Sequence, residues 1–100
     1  MVKYNKLVRD KIPQILDEKG VPYEKRIALP DEYKVELIKK IKEEAEEFLE
    51  DSSAEELADI VEVIEALKKL PEYANVEQVR IKKKEEKGGF EQKIILKGEK

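Results

Sequence analysis

Two apolar-periodic runs separated by three polar residues constrain this chain more than any other feature. In DEYKVELIKKIKEEAEEFLE, residues 31–50, Leu37, Ile38, Ile41, Ala45, Phe48 and Leu49 recur at spacings of three and four, the stripe of a long amphipathic helix. DSS breaks the pattern, and AEELADIVEVIEALKKL resumes it up to Pro71. So short a connection makes the two helices antiparallel neighbours, a helical hairpin.

The remaining segments are arranged around that hairpin. DKIPQILDEKG predicts a short first helix, with Asp10 as its cap, Pro13 in the first turn and Gly20 as its stop. VPYEKRIALP alternates imperfectly in the manner of a strand that Pro30 closes. Asn75 predicts the cap of a further helix, VEQVRIKKKEEK, with Gln78 as its capping-box partner and Gly88 and Gly89 as terminators. FEQKIILKGEK predicts a last short strand. Strands need partners for their backbone groups, so the expectation is a mainly α-helical bundle with a small two-stranded antiparallel sheet, about 22–29 with 90–97. A length of 100 residues gives one domain, 1–100.

The chain has no Cys and no His, which excludes disulfides, thiolate nucleophiles, Cys/His zinc sites and His-based triads. Its net charge of −3 argues against general nucleic-acid binding. No apolar run approaches the roughly 20 residues that cross a bilayer, and the N-terminus lacks a signal-type apolar stretch. The expectation is a soluble, cytoplasmic protein with no membrane partner. A charged fraction of 45% with a single Met fits proteins that work hot.

The acids are unevenly placed. From Glu43 to Glu65 there are eleven acids and no Lys or Arg, in a chain with 21 basic and 24 acidic residues. At ~100° per residue from Ile41, the first stripe spans about −40° to 80°, with Glu44 at about −60° and Glu47 at about −120° on its flank. On the second helix Glu56 falls inside the apolar arc and Asp59 just beyond its edge. Each pair is spaced i, i+3, and antiparallel packing would bring the pairs together. Four converging carboxylates raise one another's pKa unless a cation compensates them. With oxygen donors only, that cation would be Mg2+ or Mn2+. Spacing alone leaves a solvated acidic surface equally open. If Ser53 is the N-cap, Glu56 is also the reciprocal residue of a capping box; if Ser52 caps, Glu55 takes that place.

The run Glu43-Glu44-Ala45-Glu46-Glu47 followed by Glu56-Leu57-Ala58-Asp59, E-E-x-x-E then E-x-x-D, resembles the MazG-like all-α nucleoside triphosphate pyrophosphohydrolases, relatives of phosphoribosyl-ATP pyrophosphohydrolase. YNKLVRDKIP at 4–13 and KGGFEQKI at 87–94 look like the ends of a small MazG-like subgroup labelled phosphoribosyl-ATP pyrophosphohydrolase-like. The resemblance implies cleavage of a nucleoside triphosphate between the α and β phosphates, giving a monophosphate and pyrophosphate, as in the clearance of non-standard nucleotides. It implies that Glu44, Glu47, Glu56 and Asp59 hold the ion and that Glu43, with Glu44 and Glu47, belongs to the catalytic set. Lys87 stands where the subgroup's R-G-G-F version has Arg, keeping the charge without the planar fork.

A triphosphate needs cations from the protein as well. Lys3, Lys6, Arg9 and Lys11 near the N-terminus and Arg80, Lys82, Lys83, Lys84 and Lys87 near the C-terminus are the candidates. By resemblance, Lys6, Arg9, Lys11 and Lys83 are preferred, with Lys87 beside the Gly-Gly turn; salt-bridged helix faces explain the same lysines. Tyr4 and Phe90 could stack on a base, although core packing accounts for both. Relatives of the family pair their apolar helix faces, which implies a homodimer or a dimer of dimers. The competing readings are phosphoribosyl-ATP pyrophosphohydrolase of histidine biosynthesis and a non-enzymatic helical module that binds protein or nucleic acid.

Overall fold

A computed structural model describes residues 5–99. Lys3 and Tyr4, two of the residues singled out above, lie outside the described residues. The chain divides into two compact units, Met1–Leu67 and Lys68–Lys100, and the described residues are mainly helical, with four α-helices.

In the first unit α1 spans Ile12–Glu18, α2 Pro30–Glu50 and α3 begins at Ala54, ending at Lys68. α1 is capped by Lys11 rather than by Asp10, with no side-chain cap bond. Pro13 in its first turn has no N–H to satisfy, and the Ile12 N–H donates to Arg9 O instead, at 3.1 Å. Its end follows expectation: Gly20 takes φ +70°, and the N–H groups of Gly20 and Val21 donate back to Asp17 O and Leu16 O, closing a Schellman motif.

Pro30 opens α2 instead of closing a strand. Proline at the first helical position loses no hydrogen bond and forces the preceding residue to be extended; Leu29 accordingly has ψ 156°. Glu32 then reaches back to the Leu29 N–H at 3.3 Å, the reciprocal half of a capping box whose other half Leu29 cannot supply.

Leu37 is the one buried residue among those described, 4% exposed. Ile41, Ala45 and Phe48 along the same stripe of α2, and Ile60 and Val63 on α3, are half-buried. Ile38, Leu49, Leu57, Val61 and Ile64 are exposed although the sequence pattern counts them as core. The hairpin thus carries more apolar surface than it covers.

The second unit holds a 3-10 turn, Pro71–Tyr73, and α4, Val76–Lys87. Asn75 precedes α4 but makes no side-chain cap bond, so the expected box with Gln78 does not form. The cause is local: the turn runs straight into the helix, leaving Asn75 at φ −99° and ψ 11°, not the extended backbone that aims an N-cap side chain. Gly88 ends α4 at φ +83°.

The predicted two-stranded sheet is absent among the described residues: neither 22–29 nor 90–97 is a strand. Pro22 and Pro30 remove donors at both ends of the first segment. Ile27, Ile95 and Leu96 are exposed, and Phe90 is 97% exposed, so no facing layer rewards pleated pairing in either segment.

Candidate metal centre

The site is built from the last turns of α2 and the first turns of α3, joined by Asp51, Ser52 and Ser53. Ser53 is the cap that sets α3: its Oγ accepts the Glu56 N–H at 3.2 Å. That settles the choice between the two serines, yet the capping box is not completed. The Ser53 N–H donates to Asp51 O at 2.8 Å, so the Glu56 carboxylate is not occupied by its own helix start. The cap fixes where Glu56 and, one turn later, Asp59 leave α3.

One carboxylate oxygen from each of Glu44, Glu47, Glu56 and Asp59 lies within 4.8 Å of the others. These are the four residues that helical spacing singles out. Glu46, Glu50, Asp51, Glu55, Glu62 and Glu65 are exposed, as expected for the outward acids. Glu44 is only 12% exposed at its side chain, and Glu44 Oε2 and Glu56 Oε2 are buried with no hydrogen-bond partner. A buried carboxylate oxygen without a donor is strongly disfavoured.

The electrostatics follow from that placement. Burial pushes the Glu44 carboxyl above its ordinary range, and the adjacent Glu47 adds to this by charge and by accepting a hydrogen bond from the protonated form. Burial likewise raises Glu56, and the like charges of Glu47 and Asp59 add to it. Glu43, one residue away, goes the other way. Burial raises it, but Lys40 and Lys6 together outweigh burial and hold it below the usual carboxylate range.

Three cations touch the cluster's rim. Lys6 Nζ lies 3.3 Å from Glu43, Arg9 Nη2 donates to Asp59 Oδ1 at 2.7 Å, and Lys40 Nζ is 3.4 Å from Glu43 and 3.8 Å from Glu44. Lys40 is the residue that inspection of the acid run misses. It sits one turn before Glu43 and Glu44, and counting three and four residues back from them finds it. Five carboxylates therefore meet three cationic side chains, two charges short of balance.

The remaining predicted phosphate ligands, Lys11, Lys83 and Lys87, are exposed. Lys11 is the exposed cap residue of α1. Lys83 lies exposed on α4, and Lys87 ends that helix and lines a shallow hollow with Gly89, Phe90, Gln92, Lys93 and Ile94; both belong to the second unit.

The donor set fits a hard divalent cation. All four residues offer a carboxylate oxygen, and two of the four residues, Glu44 and Glu56, also carry a buried oxygen without a hydrogen-bond partner. Compared with protein-family models, curated proteins and solved structures, the chain matches none. No helix of the described residues is long and apolar enough to cross a membrane.

Proposed function

We propose that the chain is a MazG-like, Mg2+-dependent nucleoside triphosphate pyrophosphohydrolase that cleaves between the α and β phosphates. The observation that carries this reading is the pair of buried, unpartnered oxygens, Glu44 Oε2 and Glu56 Oε2, inside a four-carboxylate cluster. Such an arrangement costs folding stability, whereas a cation resolves both orphaned oxygens at once.

Glu44, Glu47, Glu56 and Asp59 would hold the ion, Mg2+ or Mn2+. When bound, such an ion neutralises phosphate oxygens and acidifies water, chemistry that a chain without His otherwise lacks. Glu43 stays ionised at the rim, anchored by Lys6 and Lys40, and there it orients the attacking water by accepting its hydrogen bond. The water oxygen forms a bond to phosphorus, the bond to the α–β bridging oxygen breaks, and the water's proton passes to a rim carboxylate or solvent. Monophosphate and pyrophosphate leave. Arg9 and Lys6 would meet the negative charge that builds on the phosphates, a reading supported by their ion pairs with Asp59 and Glu43.

We read the working form as a homodimer or a dimer of dimers. Support comes from the exposed apolar residues of the hairpin, Val35, Ile38, Leu49, Leu57, Val61 and Ile64, which a second copy could cover.

The test is a panel of standard and modified triphosphates, with and without Mg2+, assayed for pyrophosphate release. Metal-dependent turnover on a subset is expected, and selectivity for phosphoribosyl-ATP would identify the histidine-pathway activity. Absence of metal-dependent turnover across the panel rejects the enzyme reading in favour of a binding module.

A further inference from the structure

Residues 5–9 form no regular secondary structure, yet two of their cations land on the acid cluster from one side to the other. Lys6 reaches Glu43 on α2 and Arg9 reaches Asp59 on α3. Lys40 is different in kind. It is borne by α2 itself, is only 16% exposed, and is held by helical spacing against Glu43 and Glu44. Lys6 and Arg9 are 47% and 58% exposed, so moving either breaks ionic contacts and little packing.

The two N-terminal cations also differ from each other. Lys6 pairs with Glu43, which lies outside the four-carboxylate cluster, whereas Arg9 pairs with Asp59, which lies inside it. A guanidinium 2.7 Å from Asp59 and a divalent ion among the four carboxylates would compete for the same negative charge and repel each other at short range. The Lys6–Glu43 pair faces no such competition.

We propose that Arg9 is a displaceable counter-ion of the candidate metal centre, holding Asp59 while no divalent cation is bound and giving it up when one binds. The inference rests on the reading of the four carboxylates as a cation site. Lys6 stays on Glu43 and tethers the segment while Arg9 swings. The released guanidinium turns its planar fork of N–H donors to a phosphate, which it can meet with two parallel bonds where Asp59 takes one. Cation binding thereby arms an anion-binding group beside the ion, and the two events are coupled by the same factor in either order.

The experiment is calorimetric titration of Mn2+ into the full chain without nucleotide, for the natural protein and for Arg9→Gln, Asp59→Asn and Arg26→Gln. Arg26 pairs with Glu32 at the start of α2, so its loss removes an equal charge away from the cluster. Arg9→Gln is expected to bind Mn2+ about two- to fivefold more tightly, the strength of a half-exposed ion pair, while Arg26→Gln leaves the affinity unchanged and Asp59→Asn abolishes it. The second readout is the Nε–H resonance of Arg9, one of three arginines in the chain. Mg2+ should move it and leave Arg26 and Arg80 in place. Binding that Asp59→Asn abolishes but Arg9→Gln leaves equal or weakens overturns the exchange alone, as does an unmoved Arg9 resonance. No binding by the natural protein overturns the cation site and the exchange with it.

Discussion

Glu32 and Glu44 lie on the same helix and meet opposite fates. Glu32 receives both Arg26 Nη atoms, at 2.7 and 2.5 Å, and the Leu29 N–H; those bonds hold its carboxyl at about 2. Glu44 keeps a buried oxygen with no donor, and its carboxyl is raised. Further along, α4 treats its charges as the first turn of α2 does, with Glu77 bridged to Arg80 and Lys82 to Glu86 on an exposed surface. With 21 basic against 24 acidic residues the chain cannot pair every acid, yet at these exposed positions the acids are bridged. Where α2 meets α3, one oxygen each of Glu44 and Glu56 is buried without a hydrogen-bond partner, the arrangement on which the proposed cation site rests.

The largest effect that sharpens this contrast is on turnover. Glu56→Gln and Asp59→Asn should each lower Mg2+-dependent pyrophosphate release at least about a hundredfold, since even outer-shell changes lower metal affinity by ~10–100-fold. A variant that turns over normally removes that residue from the ligand set.

Stability should move in the opposite direction from activity at the cluster and with ordinary sign at Glu32. In metal-free buffer, Glu56→Gln relieves repulsion and should raise the melting temperature by about 2–4 °C, while Glu32→Gln, which loses the Arg26 bonds, should lower it by a similar amount. Equal destabilisation by both would erase the distinction between the two carboxylates.

Their pH dependences should differ in sign too. The raised pKa values of Glu44 and Glu56 mean that the folded state binds more protons than the unfolded chain between the ordinary and the raised values. Their contribution therefore grows more favourable as pH falls through that window. Glu32 does the reverse, its stabilisation fading as pH drops below the unfolded value of 4.5 toward about 2. Melting curves of the natural protein, Glu56→Gln and Glu32→Gln from pH 7 to 3 separate the two: Glu56→Gln flattens the upper window, Glu32→Gln the lower.

The smallest effect concerns Lys40. Lys40→Met strips Glu43 and Glu44 of their helix-borne cation, so the metal-free melting temperature should fall by about 1–2 °C. Added Mg2+ should then raise it by more than it raises the natural protein. A Mg2+ response unchanged by the substitution would place Lys40 outside the cluster's charge balance.

The four-carboxylate cluster was legible because it depends on two robust quantities. Helical spacing places Glu44 with Glu47 and Glu56 with Asp59, and a three-residue break forces the helices side by side. What depended on finer chemistry was not legible. Adjacent Ser52 and Ser53 offer the same hydroxyl, and only the backbone path, with the Ser53 N–H turned to Asp51 O, decides both the cap and the fate of Glu56. Pro30 carries the same signal whether it ends a strand or begins a helix. The pairing of 22–29 with 90–97 failed because alternation marks a face and never names a partner, and Phe90, Ile95 and Leu96 meet none. Lys40 lies beyond the edge of the unbroken run of acids, and only helical spacing, one turn back from Glu43 and Glu44, joins it to them.

The measurement that tests the central claim most directly is the Mg2+ dependence of thermal unfolding for the natural protein and the Glu44→Gln/Glu56→Gln double variant, at neutral pH and without nucleotide. A cation that binds only the folded chain raises its stability by RT ln(1 + [L]/Kd). The account predicts a melting temperature that climbs with Mg2+ in the natural protein and a flat response in the double variant, which folds at least as stably without the ion. Equal shifts in both, or none in the natural protein, would contradict it.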